Sequence, residues 1–154
     1  MEFKIININE DRTNKIYSST DCQQVITSME EYYTKIGFNK PWVGYFVFKK
    51  NKVVGTGGFI GQPKDGKVEI AYWTFKKFEG QGIASFTCKA LISISQNTDS
   101  TITITAKTAP EHNASTKILQ KNSFEFTKIV QDEEIGDAWL WTHKTVETEI
   151  DNKT

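Results

Sequence analysis

Gly80-Gln81-Gly82, followed at once by Ile83, is the stretch of this chain with the clearest capacity for chemistry. Before it, Val68, Ile70 and Tyr72 alternate with Glu69, Ala71 and Trp73, a β-branched and aromatic pattern that reads as a strand. Lys76, Lys77, Phe78 and Glu79 break that strand, and a helical pattern opens at Ile83. Strand, glycine turn and helix start together make a phosphate site. The glycines let backbone approach a ligand, and the first helical turn offers unpaired N–H groups at the positive end of its dipole. The same spacing also serves a plain turn that needs positive φ. No Lys-Ser/Thr pair follows the glycines and the strands before them read as antiparallel, which speaks against a nucleoside-triphosphate loop. Cys22 and Cys88 lack CxxC spacing and read as reduced thiols. His112 and His143, the only histidines, have no ligand-like neighbours, so no metal site is expected.

The elements that must position this turn follow from periodicity. Phe3 to Ile8 suggests a first strand. Cys22, Val25, Ile26, Met29, Tyr32, Tyr33 and Ile36 recur at helical spacing, with Asp21 placed to cap the helix and Gly37 to end it. Trp42 to Phe48 and Val53 to Ile60 form a hairpin about Asn51. Gly55, Gly57 and Gly58 in its second arm mark either a bulge or a face against which something packs closely. Pro63, Asp65 and Gly66 turn the chain into the Lys67 strand. A helix is expected from Ile83 to about Gln96, a strand at Thr101 to Thr105, and a helix from Pro110-Glu111 to Asn122. Phe124 to Val130 and Ala138 to His143 read as a closing antiparallel pair, and Glu147 to Thr154 as a polar, frayed tail. With no repeat or linker, residues 1–154 read as a single domain.

Charge balances at 19 basic against 19 acidic residues, so no overall field favours a nucleic-acid partner. No run of about 18 apolar residues suggests a membrane partner, and no secretory leader is read at the N-terminus. A cytoplasmic protein is expected.

In this order of elements the sequence resembles the GNAT N-acetyltransferase superfamily, nearest the branch of ribosomal-protein alanine/serine N-acetyltransferases. The resemblance rests on Glu69-Ile70-Ala71-Tyr72-Trp73, on Phe78-Glu79-Gly80-Gln81-Gly82-Ile83-Ala84-Ser85, and on Pro110-Glu111-His112-Asn113-Ala114-Ser115 running to Leu119-Gln120-Lys121-Asn122-Ser123-Phe124. It covers nearly the whole chain. It implies an α+β fold: a GNAT-like three-layer α/β/α arrangement whose central, mostly antiparallel sheet of six or seven strands has a V-shaped splay between two parallel strands. Departures from the pattern are Glu79 for the usual Arg or Gln, His112 for Asn, Leu119 where many members carry a tyrosine general acid, and Ser123 for glycine.

The resemblance implies acetyl-coenzyme A as cosubstrate, no metal, and an amine acceptor, either a protein N-terminus or a small amine. Strand backbone at Trp73, Thr74 and Phe75 would pair with the pantetheine arm. The segment Gly80, Gln81, Gly82, Ile83, Ala84 and Ser85 would hold the pyrophosphate, with Lys76 and Lys77 as local counter-charge to Glu79 and Asn113 also on the cofactor. Glu69 is the candidate general base through a water, or else an exposed strand carboxylate. Ser115 is the candidate donor to the leaving sulfur, or else a helix-capping serine. A coenzyme-A-binding module without catalysis is the alternative reading, and a homodimer stays open.

Overall fold

Among the described residues seven strands form: β1 (Glu2–Ile5), β2 (Gly44–Lys49), β3 (Lys52–Lys64), β4 (Lys67–Thr74), β5 (Thr103–Thr108), β6 (Phe124–Asp132) and β7 (Gly136–His143); β4 alternates core with solvent-side positions, while β2 is buried on both faces. Helical periodicity gives α1 (Thr20–Ile36), α2 (Ile83–Thr98) and α3 (Ala114–Lys121). The structure, a computed structural model, describes residues 1–144; the tail 147–154 lies outside the described residues. The strands form one sheet in the order β1-β2-β3-β4-β5-β7-β6. Only the β4–β5 pair is parallel. This is the mixed α+β architecture expected of the sequence.

Helix α1 covers one face, packing Val25 and Ile26 with Phe46, Val53 and Phe75. On the other face α2 sets Cys88 and Leu91 against Val68 and Ile70, and Leu119 of α3 joins the same core. Each fully buried side chain of this kind stabilises by roughly 1.5–3 kcal/mol. Both readings of the β3 glycines are realised: the β2–β3 register shifts beside Gly55, between Val47 and Phe48, and the glycines are closely packed. A Cβ on Gly55 would lie 2.8 Å from the Trp73 carbonyl oxygen, and one on Gly57 would lie 3.3 Å from Leu91 Cδ1. Their absence lets α2 settle directly on β3, beside the end of β4. Among the described residues no helix is long and apolar enough to cross a membrane.

Several boundaries differ from the periodicity, each for a local reason. Strand β1 stops at Ile5, although Ile6 still donates its N–H to Gly44 O and is buried, while Ile8 is exposed. Ser19 caps α1, accepting from Cys22 N, and Asp21 falls inside the first turn, where its charge suits the dipole. Strand β3 runs on past Gly61 to Lys64 after a register shift, so the turn is made by Asp65 and Gly66 alone. Asp99 holds both the N–H and the hydroxyl of Thr101, and β5 begins only at Thr103. Helix α3 opens at Ala114, because Asn113 and Thr116 form a reciprocal capping box.

Candidate active site

Strands β4 and β5 pair from Lys67↔Thr103 to Ile70↔Ala106 and then part. Beyond Ala106, β5 turns its bonding to β7, with Lys107 opposite Leu140 and Thr108 opposite Trp139. Beyond Ile70, β4 stays with β3 through Thr74. The fork holds a cavity of about 220 Å³ walled by Ala71, Tyr72, Lys107 and Thr108, with Asn113, Ser115 and Leu119 of the α3 segment closing it. Backbone edges exposed by such a splay are free to pair with an amide-bearing ligand.

At the mouth of the fork, the N-terminus of α2 faces a groove of about 500 Å³ lined by Thr74, Gly80, Gly82, Ala84, Ser85 and Lys121 among others. Gly82 is the N-cap, at φ 80, and supplies no side-chain cap; Phe86 N is the first helical amide to find a carbonyl, that of Gly82. The amides of Ile83, Ala84 and Ser85 therefore remain available at the positive end of the helix. Gly80 also has positive φ, and a Cβ at either glycine would meet nothing within 4 Å. The glycines thus answer a conformational demand of the turn and leave the groove floor bare. Thr74 Oγ1 is buried without a hydrogen-bond partner, so the groove wall holds an unsatisfied polar atom. Bare positive-φ backbone, unpaired helix amides and the Lys121 ammonium suit a pyrophosphate-bearing substrate.

The remaining expected site residues are divided around this centre. Trp73 is 44% exposed on the α1 side, edge-on to Phe75 at 4.9 Å. Phe75 itself is core, and its N–H goes to Val54 O, so it lies off the groove. Gln81 faces away and accepts from Lys49 Nζ at 3.1 Å. Ile83 is buried and contributes backbone. The Ser85 hydroxyl accepts from Asn122 Nδ2 at 3.4 Å. Asn113 Oδ1 accepts from Thr116 N, and its Nδ2 donates to Glu111. Asn113, not Ser115, therefore caps α3. Ser115 is exposed and lines both the fork and the groove.

Glu69 sits opposite Thr105, one pair before the fork opens, on the face covered by α1. Its Oε1 lies 3.5 Å from Lys107 Nζ, and that ammonium also meets Asp132 Oδ2 at 3.6 Å. Backbone N–H groups of Glu134 and Ile135 hold the Asp132 carboxyl below the usual carboxylate range, with Lys107 adding to the effect. Tyr72 belongs to the fork wall, but its phenol is buried beside the Cys88 thiol; burial pushes the phenol well up and the thiol to about 11. A phenol so placed is a poor proton donor at neutral pH. Leu119 is 1% exposed, packed in the core.

A second hollow, of about 330 Å³, opens from the fork towards α1, between Met29 and Tyr32 above and Gly44, Gly58 and Ala71 below. Periodicity assigned Met29 and Tyr32 to the core; both are half-buried against it, Cys22, Val25, Ile26 and Tyr33 are fully buried, and Ile36 at the end of the stripe is exposed. Lys121 was likewise invisible as a groove residue, because its place depends on where α3 ends. Lys76 and Lys77 form a 3₁₀ turn off the groove lining. A larger hollow of about 740 Å³ lies away from the fork, where His112 stacks edge-on to Trp139 at 4.9 Å beside Phe126 and Ile129. It shares none of the fork residues. Among the described residues no group of three His, Cys, Asp or Glu could hold a metal ion.

Residues 4–125 match the family described as acetyltransferase (GNAT) domain. An uncharacterised N-acetyltransferase of Bacillus subtilis strain 168, YjdG, is 27% identical over 115 residues, covering 73% of this chain and 68% of that protein. Among solved structures, RimL, the ribosomal L7/L12 alpha-N-protein acetyltransferase, in complex with coenzyme A, is similar with a TM-score of 0.64 at 15% identity, over 92% of each chain. A spermidine N-acetyltransferase, the SpeG chimera from Vibrio cholerae and hSSAT, has a TM-score of 0.69 at 13% identity, over 93% of this chain and 95% of that one. At these identities the structural likeness is one of fold.

Proposed function

This chain belongs to the GNAT acetyltransferase family, a family of acyltransferases, and we propose that it moves the acetyl group of acetyl-coenzyme A directly to the nitrogen of a primary amine while both substrates are bound. The observation that carries the reading is the fork after Ile70↔Ala106, with the uncapped N-terminus of α2 at its mouth. The amides of Ile83 to Ser85 and the Lys121 ammonium hold the pyrophosphate. Backbone of β4 at Tyr72 and Thr74, turned to the fork while Ala71 and Trp73 bond to β3, aligns the pantetheine amides and polarises the thioester carbonyl.

The amine nitrogen forms a bond to the carbonyl carbon, the carbon–sulfur bond breaks, and one proton leaves the nitrogen while one joins the sulfur. Glu69 takes the first through a water, and Ser115, the hydroxyl facing both cavities, hands the second to the sulfur and is reprotonated by solvent. Holding both partners in one fork supplies the larger share of the rate. Residues 1–154 act as one acetyltransferase domain in the cytoplasm.

The test is thiol release with acetyl-coenzyme A and a panel of amines, run beside thermal melts with coenzyme A. Saturation at about a hundredfold excess over Kd should stabilise the fold by about 2.7 kcal/mol. Gly82→Val places a β-branched residue at φ 80 and should remove that stabilisation. An undiminished shift in folded Gly82→Val protein would move the pyrophosphate elsewhere. Retained coenzyme A with no thiol released from any amine would favour a binding module, the reading to which buried Leu119 lends support.

A further inference from the structure

The hollow under α1 has a floor of unusual flatness, and its origin is a single cross-strand row. Gly44 pairs with Gly58, and Gly58 with Ala71. Two of the three carry no side chain and the third only a methyl group. Gly58 cannot be enlarged cheaply, since a Cβ there would lie 3.0 Å from both Gly44 Cα and Val43 O; one on Gly44 would meet the flexible end of Met29, 2.6 Å from its Cε. The row runs straight to Ala71, where the fork opens. Trp73 and Ile60 rise at its two ends, and Met29 and Tyr32 cover it.

Polar groups around the slot are already engaged. The Thr56 hydroxyl donates to Tyr45 O at 2.7 Å, and Tyr32 Oη accepts from Gly61 N at 2.6 Å. Among the described residues no carboxylate lines the hollow. The nearest one along β4 is Glu69, opposite Ile60, and its charge is met by Lys107. A second or third ammonium carried into this slot would lose its water and gain no partner. A ring or a short hydrocarbon would instead lie on the glycine floor against Trp73 and Met29, with its amine reaching the fork at Ala71. A volume of about 330 Å³ stands at the low end of small-molecule sites.

We infer that the acceptor is a small primary amine borne on a flat apolar body, of the arylalkylamine class, and that polyamines are discriminated against. This rests on the acetyl-transfer reading above. The experiment compares 2-phenylethylamine with spermidine, by thiol release with acetyl-coenzyme A and by calorimetric binding to the coenzyme-A-saturated protein. For the wild type, 2-phenylethylamine should be favoured roughly tenfold or more in both measurements. Ile60→Glu, a change at a 50% exposed position, should lower that ratio by roughly tenfold through the added carboxylate. Met29→Trp, which fills the slot, should abolish 2-phenylethylamine binding. Spermidine preferred by the wild type, or no binding of 2-phenylethylamine, overturns the inference while leaving acetyl transfer to stand on the amine panel. Binding of 2-phenylethylamine that Met29→Trp removes, without thiol release from any amine, upholds the slot and removes the transfer reading.

Discussion

Glu69 and Lys107 lie diagonally across β4 and β5 on one face of the sheet, and Lys107 keeps Asp132 as a second partner. That shared ammonium has a mechanistic use: when Glu69 takes up a proton, Lys107 still has a counter-charge. Glu69→Gln preserves shape and removes the proton acceptor, so turnover should fall more than about tenfold with coenzyme A affinity unchanged. The acidic limb of the pH–rate profile should move with it. Unchanged turnover would assign Glu69 to the sheet surface. Ser115 and Asn113 now separate cleanly, because the cap belongs to Asn113. Ser115→Ala should slow thiol release at nearly wild-type stability, whereas Asn113→Ala should cost about 0.5–2 kcal/mol in chemical denaturation. Motif position alone put Ser115 forward as a donor to the sulfur; it left the capping role undecided, since a helix start is fixed by which side chain reaches back to an N–H.

At the scale of elements, most strands and helices were legible because period-two and helical alternations are written directly in β4, β5 and α1. Their ends were not. Capture of Thr101 by Asp99, and the box between Asn113 and Thr116, are side-chain bonds that compete with the backbone ladder and shift a boundary by several residues. The fork was legible only through the family resemblance, since nothing in Ala71 or Lys107 announces that pairing stops there. One departure from the family pattern acquires a physical meaning in the α3–β6 turn. Ser123, where the family resemblance leads one to expect glycine, sits at φ 67, a left-handed conformation that costs a residue with a Cβ roughly 1–2 kcal/mol. Ser123→Gly should therefore raise stability by about 0.5–1 kcal/mol after the extra chain entropy of glycine is subtracted. A lower urea midpoint for Ser123→Gly would show that the hydroxyl earns its place there.

Across the whole molecule, the two core faces are tied together by buried phenols. Tyr33 donates to Ile6 O and accepts from Gly44 N, joining α1 to β2 and the segment after β1. Burial moves its pKa from the ordinary 10 to about 12, and Tyr45 behaves alike. Below pH 10 both states keep the proton and the stabilisation is complete. Between pH 10 and 12 the unfolded chain ionises first, so stability should fall as pH rises through that window. Urea midpoints should show this decline, and Tyr33→Phe should make it shallower while lowering the starting value, the share of Tyr45 remaining. A flat wild-type profile would contradict the burial of both phenols. The short β4–β5 seam has a different consequence, in amide hydrogen exchange. With only the pairs up to Ile70↔Ala106 in place, the fork-facing amides of β4 beyond Ile70 should exchange like those of a sheet edge. Bound coenzyme A, bridging the gap as an added rung, should slow them to the rate of a sheet interior, while β1 and β2 keep theirs. The ligand would then be a removable strand of the sheet, and protection at Tyr72 and Thr74, whose amides face the fork, a direct count of how often that strand is present.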